Sequence, residues 1–421
     1  MKLLSRLTGL FRPSGRTGSP SRWPTEPDFW RLWLCGLVMF VVRWIEQIAV
    51  AVFVYQQTGS AFLVAMMTML RMAPLGLFGA VLGALADKVE RRTGLIWIIL
   101  TSLSTSLVLA ILSLTGHLAV WHLALASFIN GIAWAADNPV RRMMMGDVVG
   151  PDRVGTSISI DVGANQVSRM TGPTIGGFLF ATVGIQGAFI LCVGLYLIAV
   201  VAALGVRYRK TPESHALGVV IERMIESMKL ALSNTRVRGT LIITLIFNMF
   251  GWPFTSMVPV VGQDNLHLGA GGIGVLASME GVGAFAAAMM IGLFATTRYY
   301  GWIYVGGSLT YMVTLSLFAV APEPLSAGTA LLITGFSTGC FSIMQTTLIY
   351  ILTPPEIRGR MLGVLATYIG IALIGFLHIG FLAELIGAKW ACVVSGVEGL
   401  LAMALTQRYW RELLRKETAV P

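Results

Sequence analysis

Five ionisable side chains stand inside long apolar runs and carry whatever chemistry this sequence can do: Arg43, Glu46, Arg71, Asp161 and Arg169. Asn165 lies between the last two, and Glu280 interrupts a later run. A charge at mid-bilayer costs about 2.5–3.5 kcal/mol even on the lenient insertion scale, so each of these groups must face protein or water. Arg43 and Glu46 are one helical turn apart and are expected to pair along a face. Asp161, Asn165 and Arg169 recur every four residues and run on into Gly172 and Gly176, which makes one polar and small-residue stripe. Three guanidiniums against two carboxylates leave one surplus positive charge, which suits an anionic group on a substrate. Glu46 or Asp161 would then be a protonation switch, because a carboxylate beside arginine titrates differently once its partner moves away. Glu280 is the runner-up switch. A buried ion-pair network that merely holds helices together uses the same residues equally well, and both readings stand at this point.

The elements that position these groups are membrane helices. With 56% hydrophobic and 12% charged residues and a mean hydropathy of +0.77, the 421-residue chain is too apolar for an ordinary soluble protein. At about 20 residues per spanning helix, the apolar runs predict an all-α integral membrane protein with twelve transmembrane helices. They are expected at 30–56, 61–86, 93–115, 118–145, 155–181, 186–207, 239–262, 272–295, 302–320, 326–352, 360–386 and 390–407. This divides the chain into a basic tail (1–28), a six-helix bundle (29–207), a polar linker (208–238), a second six-helix bundle (239–407) and a closing tail (408–421). Within the linker, Leu217, Ile221, Met224 and Met228 recur at helical spacing opposite Glu222, Glu226 and Lys229, the pattern of an amphipathic helix on the membrane surface. The bundles read as a parallel repeat: V-G-P-D-R-V-G at Val149–Gly155 returns as T-P-P-E-I-R-G at Thr353–Gly359, an offset of 204 residues, and G-A-L-A-D from Gly83 returns as G-L-F-A-T from Gly292, an offset of 209.

The net charge of +10 does not indicate nucleic acid, because the bases follow topology. With the N-terminus inside, 26 of the 30 fall in cytoplasmic segments, Lys389 alone falls outside, and the other three are Arg43, Arg71 and Arg169. The four cysteines lie in apolar runs without paired spacing, so neither disulfides nor a metal site is indicated. No phosphate-binding glycine loop or metal motif is present, and no cofactor is expected. The stretch Gly83–Arg92, G-A-L-A-D-K-V-E-R-R, reads as a short cytoplasmic hinge between helices 2 and 3. Asp137, Arg141 and Arg142 end helix 4 on the same side, together with Asn138, Pro139 and Asp147. With Gly83, Asp87, Arg91 and Arg92 they are expected to form a gate whose acids and bases on opposing bundles pair when the cytoplasmic side closes. That Arg141 and Arg142 only fix topology is the plainer alternative.

The spacing G-x-L-x-D-x-x-x-R-R at Gly83–Arg92 resembles the helix 2–3 loop of the major facilitator superfamily. Gly172-Pro173-Thr-Ile-Gly176-Gly177 is similar to the G-P-x-x-G-G core of the antiporter motif of exporters in that superfamily, although Ser168 stands where the fuller pattern has glycine. From Phe29 to Gln407 the chain resembles the branch that includes the enterobactin exporter and macrolide efflux proteins. The resemblance implies two bundles around a central cavity working by alternating access, with the glycine–proline motif bending helix 5. The arginine that many proton antiporters of the superfamily carry in helix 4 has no counterpart at Ser127. The function expected is a monomeric, non-enzymatic exporter of a small siderophore-like or drug-like molecule, coupled to proton influx, in a bacterial inner membrane with both termini cytoplasmic. Alternatives are an importer of a small anionic metabolite on the same scaffold, a membrane enzyme acting on lipid headgroups, and a non-transporting sensor or assembly protein.

Overall fold

The computed structural model describes residues 23–86, 90–209, 228, 231–354 and 357–415, and of residues 78–86 the backbone alone. Every regular element among them is helical. The first six are α1 (Pro27–Thr58), α2 (Ala61–Ala86), α3 (Arg91–Leu114), α4 (Val120–Val149), α5 (Val154–Val183) and α6 (Ile185–Gly205). Then come α7 (Thr235–Ile246), α8 (Val258–Asp264), α9 (Ala270–Phe294), α10 (Tyr300–Val320), α11 (Pro324–Ile351), α12 (Arg358–Gly370), α13 (Ala372–Leu405) and the short α14 (Gln407–Trp410). Local chemistry sets several ends. Pro27 and Pro324 open α1 and α11, where a missing amide hydrogen costs nothing. The Asn234 side chain caps α7 by accepting from the amides of Arg236 and Val237.

Eight helical stretches among the described residues are long and apolar enough to cross a membrane. Two long helices, α4 and α5, fall short because Asp137, Arg141, Arg142, Asp161 and Arg169, with many small residues, dilute their hydropathy. Such helices can stay in a membrane only by turning those groups toward other helices. One of the eight, Arg358–Leu405, has 48 residues. At 1.5 Å per residue that is roughly 70 Å, enough for two crossings of a hydrocarbon core of about 30 Å. Gly387, with φ of 82°, divides it.

The seventh expected helix, 239–262, is not continuous. After Ile246 the backbone opens into a π-turn (Phe247–Gly251), tightens into a 3-10 turn (Trp252–Ser256), and returns to α geometry in α8. Pro253 and Pro259 remove two amide donors within seven residues. Carbonyls freed in this way need partners inside a membrane. Ser395 supplies one by donating to Phe250 O at 2.7 Å, and Asn248 donates to Thr244 O at 2.8 Å. The closing segment is also less of a tail than expected: Trp410 and Leu413 are buried, and Gly301 lies against Leu413 O. The first tail up to residue 22, the amphipathic stretch apart from Met228, Asp87 and Glu356 lie outside the described residues.

Helices α1 to α6 pack on one another, and α7 to α13 on one another. The two sets meet along α5 against α9 and along α2 against α13 and α12. Close approach at the first seam depends on glycine. A Cβ on Gly177 would lie 2.4 Å from Ala270 O, and one on Gly274 would lie 2.4 Å from Pro173 O.

Candidate functional site

Glu46 on α1 is the most heavily engaged group. Its carboxylate accepts from Arg71 Nη2 at 2.5 Å, Asn130 Nδ2 at 3.1 Å and Ser106 Oγ at 3.0 Å. These donors come from α2, α4 and α3, so the charge is satisfied entirely within the first set. The expected pair of Arg43 with Glu46 is therefore not formed. A buried carboxylate is held best by several donors, and three neighbouring helices supply what one guanidinium on its own helix cannot. Arg43 instead lies over the Trp134 ring at 4.0 Å and near Trp44 at 5.4 Å. Its backbone carbonyl accepts from Arg71 Nη1 at 2.9 Å. The guanidinium makes no ion pair, and its Nε has no hydrogen-bond partner among the described residues.

Asp161 is likewise placed elsewhere than expected. It receives Arg141 Nη1, and Arg142 Nε at 2.9 Å, while Arg141 Nε also reaches Asp137 at 3.1 Å. Arg141, Asp137 and Asp161 are fully buried. The stripe through Asp161, Asn165 and Arg169 thus splits. Eight residues at 3.6 per turn rotate the side-chain direction by about 80°, which suffices to send Asp161 toward α4 and Arg169 toward α9. Asn165, between them, is half-buried, with no side-chain hydrogen bond among the described residues. Sequence reasoning missed Gly36: a Cβ there would lie 2.2 Å from Arg141 Nη1, so the buried guanidinium occupies the space this glycine leaves.

Arg169 crosses to the second set and pairs with Glu280 Oε1 at 2.5 Å. Thr338 Oγ1 donates to the same oxygen at 3.3 Å, and Arg169 also lies 5.6 Å from the Trp44 ring. One turn on, Thr174 and Ser278 hydroxyls meet at 2.7 Å. The glycine motif serves two neighbours. Gly172 and Gly176 admit Trp44 and the backbone of Ile45 on α1, while Gly177 admits α9. The helix α5 runs unbroken through Pro173.

Between the sets, Arg43, Trp44, Gln47, Arg169, Trp252 and Glu280 border a cavity of about 40 Å³. That is room for about three waters and for no organic molecule, so the site is contracted in this conformation. A polar recess of about 20 Å³ adjoins it, bordered by Arg43, Glu46, Arg71 and Trp134. Orphaned polar atoms gather here: Arg43 Nε, Trp44 Nε1, Trp134 Nε1 and Asn130 Oδ1. Counted around the cavity, Arg43, Arg71 and Arg169 face Glu46 and Glu280, which leaves a single positive charge in excess. Trp44 beside Arg43, and Trp134 amid the polar residues of α4, are the sequence signals of these aromatic walls.

At the end bearing the expected gate, the described ion pairs stay within the first set. Arg91 meets Asp147 at 2.6 Å, Tyr208 Oη donates to the same carboxylate at 2.5 Å, and Arg92 donates to Leu204 O at 2.9 Å. Burial, helped by the bond to Asp147, pushes the Tyr208 phenol up to about 12. Asp28 accepts from the amides of Arg207 and Tyr208, both at 3.0 Å. Arg358 on the second set donates to the carbonyls of Tyr350 and Thr353 and stacks on Tyr350. Gly83 lies in α2, and Asp87 is outside the described residues. At the opposite end the sets do touch. Tyr55 donates to Asp264, and Ser60 Oγ donates to Glu384 at 3.0 Å. The His378 ring meets Glu398, which the sequence reading passed over, at 2.6 Å.

Among the described residues no group of three His, Cys, Asp or Glu side chains converges on a metal geometry, and all four cysteines are buried thiols. The chain is similar to macrolide efflux protein A of Streptococcus pyogenes, with 22% identity over 381 residues, covering 87% of this chain and 92% of that protein. It is similar to the enterobactin exporter of Shigella boydii at 23% over 407 residues, 91% and 94% of the two chains. The staphyloferrin A transporter of Staphylococcus aureus is 22% identical over 68% of this chain and 70% of its own. Among solved structures, a POT family transporter holding a thioalcohol-conjugated peptide superposes with a TM-score of 0.74 at 11% identity, over 92% of this chain and 96% of that one. An inward-facing, unoccupied bacterial homologue of the human lysosomal transporter Spinster does so at 0.71 with 14% identity, over 94% and 100%. The sequence profile described as transmembrane secretion effector matches residues 22–418. With that match spanning nearly the whole chain and the fold agreeing, this multi-pass membrane protein belongs to the transmembrane secretion effector family of major facilitator transporters.

Proposed function

We propose that the chain is a secondary-active exporter of a small anionic organic molecule, siderophore-like or drug-like, driven by proton influx through alternating access. Twelve spans form two six-helix bundles, α1 to α6 and α7 to α13, in a bacterial inner membrane with both termini in the cytoplasm. The observation that carries the reading is Arg43: a guanidinium without a carboxylate partner, stacked on Trp134 and turned to the cavity between the bundles. Such a group adds little to the fold and is available to an incoming anion. The aromatic rings around it suit an organic substrate, with Trp44 and Trp252 closing on its body.

We read the conformation as closed at the end of Tyr55–Asp264 and Ser60–Glu384, where the bundles are bound together, with the site between them contracted. Glu280 is the coupling carboxylate: its bond to Arg169 is the ionic link between bundles at mid-depth, and protonation removes it. Glu46 is a structural anchor for Arg71, and Asp161 for Arg141. The test is uptake into everted vesicles energised to an acid interior, using catecholate and carboxylate siderophores and acidic drugs as candidates. Wild-type vesicles accumulate one of these compounds and lose it when the pH gradient is collapsed. Accumulation only in right-side-out vesicles would instead make the chain an importer.

A further inference from the structure

Tyr311 on α10 is a buried ionisable group with no part in the contacts described so far. Its side chain is fully enclosed, yet its hydroxyl has no hydrogen-bond partner among the described residues. A buried phenol ordinarily finds one, and leaving it unpaired costs stability. Such a cost is accounted for when the partner arrives in another state of the protein, and the surroundings of Tyr311 name a partner. The hydroxyl lies beside Thr338 and within the field of Glu280, without hydrogen-bond geometry to either. Thr338 Oγ1 in turn shares its single hydrogen between Glu280 Oε1 at 3.3 Å and Thr334 O at 3.0 Å. The charged groups that face Glu280 are Arg169 from α5 and, around the cavity, Arg43 from α1. Near Tyr311 stands the buried Cys392 thiol of α13.

Protonation changes what Glu280 needs. The ionised carboxylate only accepts, and Arg169 supplies its donor; a carboxylic acid carries a hydrogen that must itself find an acceptor. A guanidinium cannot accept it, and Thr334 O already receives Thr338. The oxygen of Tyr311 has its lone pairs free. Reaching it is a matter of side-chain rotation alone, because a Cβ on Gly335 would lie 1.9 Å from Glu280 O and the backbones of α9 and α11 are locked together. On its other side the phenol packs against the broken seventh span. Its ring centroid lies 4.4 Å from that of Phe247 and 5.6 Å from that of Phe254, and a Cβ on Gly251 would lie 3.0 Å from Tyr311 Cε1.

Resting on the reading of Glu280 as the coupling carboxylate, we propose that Tyr311 is its positioning residue in the protonated state. The acid turns from Arg169 on the first set to Tyr311 on the second, donating its hydrogen to Oη, while Thr338 donates to the other oxygen. Protonation thereby moves the bonds of Glu280 from the seam between the sets into the second set, and α5 is released from α9. Glutamine stands in for the acid, since its amide both donates and accepts, and Tyr311→Phe keeps the ring while removing the hydroxyl. The full-length protein carries spin labels on cysteines introduced at the exposed positions Ser159 and Thr346, and wild type, Tyr311→Phe, Glu280→Gln and the double variant are compared. Tyr311→Phe alone leaves the distances as in the wild type and does not lower the thermal midpoint, because no hydrogen bond is lost. In the Glu280→Gln background it reduces the shorter-distance population about fivefold relative to the longer one, the weight of one neutral hydrogen bond. An equal reduction in both backgrounds would make Tyr311 a packing residue and overturn the assignment, as would no reduction in either. Distances that Glu280→Gln itself leaves unmoved would instead overturn the coupling reading on which the assignment rests.

Discussion

Glu280→Gln isolates the link between the two sets of helices. Arg169 and Glu280 approach to 2.5 Å with side chains only 15% and 9% exposed. At that separation and an effective dielectric of 20 the gross attraction is about 6–7 kcal/mol. Desolvation of both ions offsets most of it. The net contribution of a charged hydrogen bond is about 2 kcal/mol, a factor of about 30 in an equilibrium. Glutamine keeps the shape and removes the charge, so the conformer with α5 and α9 joined loses that factor. If the alternative conformer is present at about 1%, it rises to about a quarter of the molecules. Spin labels on cysteines introduced at Ser159 and Thr346, exposed on α5 and α11, report the separation of the sets at the basic end. The four native cysteines are buried and compete little for label. A shorter-distance population should grow in Glu280→Gln. An unchanged distance distribution in a folded, labelled variant would show that the pair does not bias the conformational equilibrium.

The buried triad behaves differently from Arg43. Arg141→Gln leaves Asp137 buried without a guanidinium and Asp161 with Arg142 alone, and should cost about 3–5 kcal/mol, read as a lower thermal midpoint in detergent; an unaltered midpoint would remove the triad from the account of stability. Gly36→Val places a side chain where the Arg141 guanidinium lies and should lower the midpoint in the same way. Arg43→Gln should leave the midpoint within the range of neutral substitutions, because no carboxylate is orphaned, while weakening substrate binding about 10- to 100-fold by direct titration. Gly177→Leu forces atoms into the Ala270 carbonyl and should shift the spin-label distances toward the conformer in which α5 and α9 have parted, with no change in the membrane-inserted fraction.

Much of the fold was legible because membrane helices announce themselves by length and hydropathy. The runs from Phe29 to Arg207 became α1 to α6 with ends shifted by a few residues. The exception at Phe247–Ser256 arises because hydropathy is blind to backbone geometry, although Pro253 and Pro259 were visible signs of it. The polar residues were correctly expected to leave the lipid, but their partners were not legible. One-turn spacing joined Arg43 to Glu46 on paper, whereas the structure gives Glu46 to Arg71, since partner choice depends on which neighbouring helices bring donors together. Asp161 and Arg169 seemed one stripe until the 3.6-residue pitch carried them to different neighbours. Gly36 offered no sequence signal, because its role is the space it leaves for a residue 105 positions away.

The central claim is export of an anionic organic compound through Arg43. It is tested most directly by comparing the small molecules inside and outside source cells that carry the wild-type chain, Arg43→Gln, or no chain. The account predicts one anionic compound that accumulates inside cells lacking the chain, accumulates equally in Arg43→Gln cells, and appears in the medium of the wild type. A compound left outside the cells that lack the chain, or an Arg43→Gln profile identical to wild type, would contradict it.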